Sequence, residues 1–370
     1  MNGDALKRRV EIGILYSRSG NYALVSQACR AGALAGITAV NADPDGQIEF
    51  VPVERDPEGN IDRYAQGCQD ILANSSARHI IGAVTSWSRK EVIPVLEKAG
   101  GTLWYACPYE GFEANEHVVY MHACPNQHLV PLMAHVVPRF GADGFLTGSN
   151  YIWGWDTNRV ARDLIADAGG KVLGERYLRI GETDVSRLIA EIRATRPNFV
   201  LNNLIGPSSY AFLAAYAELG RRDAYFASSN CPVLSCNLTE CELPAIGAAG
   251  EGHLSVGPYF HAAGADAPVS SLEASANACV RVLAEILARE PEARWTDLPR
   301  AVAGRTFATP LGEIAIDPQT QHATLPVEIG RIDRGRFEIV SGAQAVAPDP
   351  YLSRYNRAEI FGRPRLKVVS

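Results

Sequence analysis

No run in this chain approaches the roughly 18 consecutive apolar residues that a membrane-spanning helix requires, so nothing reads as a transmembrane segment. There is also no excess of basic charge. Thirty-five Lys and Arg against 41 Asp and Glu give a net charge of −6, which excludes a surface built to neutralise nucleic-acid phosphates. The eight cysteines are scattered and form no dense disulfide framework. Catalytic signatures are missing: there is no Gly-x-Ser-x-Gly elbow, no phosphate-binding Walker loop, no His-Glu-x-x-His and no dinucleotide fingerprint after the first strand. Non-enzymatic chemistry is therefore the expectation, with no cofactor and no metal. The start, Met1 to Val10, passes from a few charged residues straight into a strand, without an apolar segment of signal-peptide length. A reducing cytoplasm is the expected compartment, and a periplasmic one the alternative if a leader has been removed.

What is present is an ordinary globular composition, 47% hydrophobic and 21% charged. At 370 residues the chain is too long for one core and suits two α/β lobes. Short Val/Ile/Leu-rich runs alternate with stretches of helical period, the pattern of a parallel sheet. Strands are expected at Val10–Leu15, Ile48–Val53, Ile80–Val84, Thr102–Tyr105 and Val118–Met121, with an Ala/Gly-rich helix at Tyr22–Asn41. After Cys124-Pro-Asn126 the pattern restarts, with strands at Gly144–Gly148, Val172–Tyr177, Phe199–Asn203, Tyr225–Ser228 and His253–Val256. The fold class expected is α/β, two doubly wound parallel-sheet lobes joined by a multi-strand hinge. The division expected is 9–124 plus 257–326 for one lobe, 125–256 plus 327–348 for the other, and 349–370 as a surface tail carrying Arg357, Arg363, Arg365 and Lys367. A late ribbon, Gly312–Asp317 with Ala323–Asp333 and Phe337–Val340, closes the molecule.

Ligands of open parallel sheets bind outside the carboxyl ends of the strands. The strand-end loops therefore supply the candidates: Ser86, Tyr105, Cys107, Pro108, Tyr151, Trp153, Gly206, Pro207 and Asn230. Backbone N–H groups and hydroxyls there suit an uncharged polar ligand, and the aromatics form walls that exclude water. Two other groupings invite a metal reading. Cys231, Cys236 and Cys241 recur at five-residue steps, which do not share a helix face, and His117, His122, Cys124 and His128 lack the paired spacing of zinc ligands. Arg89 and Lys90 at a helix start oppose the dipole and are expected to be solvated, and Glu110 to make a surface or hinge salt bridge.

Ile12-Gly-Ile-Leu-Tyr-Ser17, Arg55-Asp-Pro-Glu-Gly59, Ser88-Arg-Lys90, Pro108-Tyr-Glu-Gly-Phe112, Pro125-Asn-Gln127 and Gly148-Ser149 together resemble the aliphatic amidase regulator family. These are amide sensors with a type I periplasmic-binding-protein fold, related to the urea and short-chain-amide binding proteins of ABC transporters. The resemblance implies a cytoplasmic homodimer that closes on a small neutral amide and releases an RNA-binding antiterminator protein, without direct nucleic-acid or membrane contact. The alternative is the substrate-binding component of an ABC transporter for short-chain amides, urea or branched-chain amino acids. Ser86, Tyr105 and Tyr151 match the family's amide pocket. Cys107 stands where the family carries Thr, Trp153 where it carries Tyr and Pro207 where it carries Thr. A ligand other than acetamide, bulkier or more apolar, is expected from these losses of hydroxyl.

Overall fold

The computed structural model describes residues 7–262, 264 and 267–362. The first sheet holds β1 (Arg8–Leu15), β2 (Ile48–Arg55), β3 (His79–Gly82), β4 (Thr102–Tyr105) and β5 (Val118–Tyr120) in the order β2-β1-β3-β4-β5, all parallel. The crossover helices are α1 (Ala23–Ala42), α2 (Asp62–Asn74) and α3 (Ser86–Ala99). The second sheet builds on β6 (Gly144–Ser149), β7 (Val172–Leu178), β8 (Phe199–Asn203), β9 (Val233–Ser235) and β10 (Leu254–Gly257). These run parallel in the order β7-β6-β8-β9-β10; α4 (Leu129–Phe140) leads into β6, and α5 (Ile152–Asp167), α6 (Ser186–Thr195), α7 (Pro207–Arg222) and the short α8 (Leu243–Ile246) connect the strands.

The chain then returns to the first lobe through α9 (Ser271–Arg289) and α10 (Leu298–Val302). There Arg8 donates to the carbonyls of Leu287 and Pro291, and the Ala293 carbonyl meets His79 Nε2 at 3.1 Å. The small residues of α1 serve this return. A Cβ on Gly32 would lie 2.2 Å from the Glu273 carbonyl, so only glycine lets α9 come this close.

Two sequence expectations are corrected. The segment Tyr225–Ser228 is no strand: Asp223 accepts from the Tyr225 amide at 3.0 Å and starts a 3-10 turn over Ala224–Phe226, and the strand forms later at Val233–Ser235. The late ribbon is two separate hairpins. One pairs β11 (Thr306–Thr309) with β12 (Gly312–Ala315); the other pairs β13 (Leu325–Asp333) with β14 (Arg336–Val346) and extends the second sheet antiparallel to β10. The tail lies along the surface, mostly exposed, and is held there by hydrogen bonds as far as α11 (Arg357–Phe361). Buried Asp349 caps the Ser353 and Arg354 amides, its own amide donates to Asn126 Oδ1, and Tyr355 Oη reaches Asp167 at 2.9 Å. Arg363, Arg365 and Lys367 lie outside the described residues.

Between the sheets the chain crosses three times: after β5, after β10 and after β12. Single bridges, Tyr120 with His322 and Ile316 with Ala323, tie two of these crossings together.

Candidate functional site

The carboxyl ends of β3, β4, β6, β8 and β9 converge on a cavity of about 50 Å³ between the lobes. From the first lobe come Tyr22, Thr85, Ser86, Tyr105, Cys107 and Pro108; the second supplies Tyr151, Trp153, Gly206, Asn237 and Glu242. Three helices begin here, and the exposed N–H groups of each first turn bring partial positive charge. In α3 the Thr85 side chain accepts from the Ser88 amide at 3.1 Å. Ahead of it Ala83, at φ +60°, turns the chain out of β3 in a left-handed conformation rare for a residue with a Cβ. Gly206, at φ +55°, starts α7; a Cβ there would lie 1.8 Å from the Asn21 carbonyl of the opposite lobe. Trp87 of α3 and Tyr151 before α5 meet across the cleft with ring centroids 5.4 Å apart.

The polar groups of the wall are unevenly satisfied. Ser86 Oγ donates to Glu110 Oε2 at 2.5 Å, and Tyr105 Oη donates to the Val84 carbonyl at 2.6 Å. Trp153 Nε1, Tyr22 Oη and Glu242 Oε2 are buried with no hydrogen-bond partner. The other oxygen of Glu242 accepts from Tyr210 Oη at 2.9 Å. Burial pushes the Glu242 carboxyl up to about 7, against the opposing pull of Tyr210 and the Thr239 backbone. No lysine or arginine lines the cavity among the described residues.

Behind the cavity lies a buried ion pair that the sequence reading placed in solvent. Arg89 is fully buried, 2.8 Å from Glu110 and 2.7 Å from Glu113, with its guanidinium between the Tyr105 and Tyr109 rings at 4.8 and 4.9 Å. Burial pushes Glu113 up, but the Arg89 charge and hydrogen bonds from Arg89, Lys90 and Tyr120 outweigh it and hold Glu113 at about 2. The dipole conflict at the start of α3 is thus met by two carboxylates from the loop after β4, not by water.

Of the nine residues chosen from sequence, Ser86, Tyr105, Cys107, Pro108, Tyr151, Trp153 and Gly206 line the cavity. Pro207 sits one position behind the wall as the first residue of α7. Asn230 is exposed at the amino end of β9, its amide bound to the Ala224 carbonyl at 2.8 Å. Misplacing that strand put the wrong asparagine at the cleft: Asn237, just past the carboxyl end, takes the place. Glu242, Tyr22 and Leu272 were also missed. Leu272 arrives from the returning α9, whose register no strand-end rule marks. Trp153 is part of the wall, and Pro207 is not among the lining residues. Cys107 Sγ lies 3.6 Å from Cys29 Sγ rather than on a hydroxyl partner.

The other polar groupings disperse. Cys231 meets Tyr216 and the Pro197 carbonyl, and Cys236 lies buried apart. His117 binds the Gly101 carbonyl at 2.7 Å, His122 Ser271 at 3.3 Å and His128 the Tyr109 carbonyl at 3.0 Å, while Cys124 donates to Gln127. Among the described residues no three such groups converge as metal ligands. Ala23–Ala42 is long and apolar enough to cross a membrane, but it is the crossover helix packed beneath α9.

Residues 10–357 match the family described as periplasmic binding protein domain. A "Leu/Ile/Val-binding protein homolog 6" from Brucella abortus (strain 2308) is 22% identical over 359 residues, 89% of each chain. Among solved structures, a solute-binding protein of an ABC transporter from Rhodopseudomonas palustris HaA2, in complex with p-hydroxybenzoic acid, superposes with a TM-score of 0.80 at 21% identity, covering 92% of this chain and 98% of that one. A leucine-binding protein from Thermotoga maritima MSB8 gives 0.74 at 15% identity, with 90% and 99% covered. Likenesses at this identity carry the fold, parallel sheets in two lobes. With nearly its whole length matched, the chain belongs to the periplasmic binding protein domain family.

Proposed function

We propose that this protein is a solute receptor of the ABC-transporter type that closes on one small, neutral, amide-like molecule. The observation that carries this is the pairing of unmet needs on the cavity wall: a buried donor at Trp153 Nε1 and, in the carboxylate form of Glu242, a buried acceptor at its Oε2. Each costs about 1–3 kcal/mol while unpaired. One amide supplies a carbonyl to the first and an N–H to the second. Size supports the same class, since a water needs about 10–15 Å³ in such a cavity and 50 Å³ therefore suits about four non-hydrogen atoms. Benzoate and leucine, the ligands of similarly folded proteins, are about twice that size.

The transporter role is favoured over the regulator of an antitermination partner because the similar proteins found are binding proteins for solutes. It brings with it a periplasmic location in place of the cytoplasmic one. The two readings share a ligand and differ in compartment and partner, and the homodimer belongs only to the regulator reading.

Thermal unfolding with a panel of acetamide, propionamide, urea, benzoate and leucine tests the ligand class. A ligand at a hundred times its Kd adds about 2.7 kcal/mol of stability. Stabilisation by amides or urea but not by benzoate or leucine is expected; the reverse order would overturn the proposal. Cell fractionation of the native host tests the compartment.

A further inference from the structure

We infer that Cys29 and Cys107 are a disulfide site: they exchange with an external disulfide, small-molecule or protein, and become a covalent tie between α1 and the loop after β4. The inference goes beyond the function proposed above and depends neither on the solute nor on the compartment. The two sulfurs lie 3.6 Å apart, and among the described residues no other pair of sulfurs meets. A disulfide bond is about 2.0 Å long, which leaves about 1.5 Å to be closed by rotation about the two Cα–Cβ bonds. Little holds the thiols back, since the other neighbour of Cys107 Sγ is the Ala83 carbonyl at a distant 4.0 Å.

The two cysteines divide the reaction between them. Cys29 has no exposed surface, whereas Cys107 stands on the cavity wall. An external disulfide therefore meets Cys107 first, when the lobes part. The Cys107 thiolate attacks one sulfur of that disulfide, forming a mixed disulfide, and the other sulfur leaves as a thiolate that takes up the proton Cys107 has lost. Cys29, as its thiolate, then attacks Cys107 Sγ. The Cys29–Cys107 bond forms, the second external sulfur leaves, and it takes up the Cys29 proton. Two protein thiols are oxidised and one external disulfide is reduced to two thiols. Burial pushes the Cys29 thiol well up, as do its hydrogen bond to Cys107 and the charges of Cys107 and Glu273, and Tyr16 draws it down. Tyr16 Oη is buried without a hydrogen-bond partner, so its proton is available to the Cys29 thiolate in the second step.

The bond would lie within the first lobe and leave the hinge free. Cys29 shares a face of α1 with Val25 and with Tyr22 at the helix start, and both of those line the cavity, as do Cys107 and Pro108. Two stretches of one wall are thereby fixed to each other. The cysteines are 78 positions apart, and a cross-link over such a length restricts the unfolded chain.

Wild type, Cys29→Ser and Cys107→Ser, each purified in reductant, are equilibrated at a series of ratios of oxidised to reduced glutathione, alkylated, and mapped by mass spectrometry without reduction. Wild type is expected to give the peptide pair joined through Cys29 and Cys107, reversibly, and to melt about 5 °C higher when linked than when reduced. Cys29→Ser should stop with glutathione on Cys107, because the resolving thiol is gone, and Cys107→Ser should leave Cys29 unmodified. Cys241, half-buried and without a sulfur neighbour, shows in all three proteins what an unpaired thiol does. A folded wild type that yields no Cys29–Cys107 link at any ratio, a link through a different pair, or a linked form that melts below the reduced one would overturn the inference. Mapping and melting of wild type decide the matter even where a variant does not fold.

Discussion

Trp87 and Tyr151 belong to different lobes, and their rings touch at a centroid distance of 5.4 Å over the mouth of the cavity. The contact exists only when the lobes are together, so it stabilises that arrangement alone. A ligand gains affinity from it through the population of the closed state. Aromatic pairs contribute about 0.5–1.5 kcal/mol beyond their buried area. Trp87→Ala should therefore weaken ligand binding by about three- to tenfold, measured by calorimetry, with little change in the unfolding temperature of the free protein.

Gly206 makes a stricter demand. A Cβ there would lie 1.8 Å from the Asn21 carbonyl across the cleft, and φ +55° with ψ −136° is a conformation reserved for glycine. Gly206→Ala should hold the lobes apart, lowering affinity by about a hundredfold or more and enlarging the radius of gyration of the ligand-saturated protein in solution scattering. Gly32→Ala, against the Glu273 backbone within one lobe, should instead lower thermal stability. Equal effects of both on binding and on melting would refute this division.

The carboxyl of Glu242, raised to about 7 by burial, gives a pH signature. Below the ordinary glutamate range the group is protonated in folded and unfolded states alike, and its burial carries no charge penalty. As pH rises toward 7 the unfolded chain releases the proton first, so stability falls through that window and levels off above it. Glu242→Gln should remove this dependence and be more stable than wild type at pH 8, by chemical denaturation at several pH values.

Five buried histidines act in the opposite sense. Burial lowers His122 to about 3 and His79, His128, His253 and His322 to about 4. They stay neutral in the fold while the unfolded chain takes up protons, so stability present above pH 6.5 drains away as pH falls toward 4. An unfolding free energy that stays flat between pH 6.5 and 4 would contradict their burial.

The first lobe was legible from sequence because β3, β4 and β5 and the second half of β1 are buried apolar runs, and the turns that follow carry Ser, Thr and Tyr in plain view. The place of β9 was not. Tyr225 and Phe226 have strand-like composition, but the Asp223 side chain caps a turn there and the core strand is only three residues long. That one error exchanged Asn237 for Asn230 and hid Glu242 just beyond. The burial of Arg89 was equally hidden, since its two carboxylate partners lie more than twenty positions away on another strand's loop, and local pattern registers only neighbours.

The return of α9 beneath α1 also bears on how this protein is made. The largest contact of α1, with α9, is missing until Ser271 and the residues after it have left the ribosome, and the second sheet is not complete until β13 and β14 follow. A nascent chain halted anywhere before those segments carries an open hydrophobic surface on its oldest part, a substrate for chaperones during translation. Biogenesis of this protein is thus gated by its last hundred or so residues, and C-terminal truncations should aggregate rather than persist as a folded first lobe.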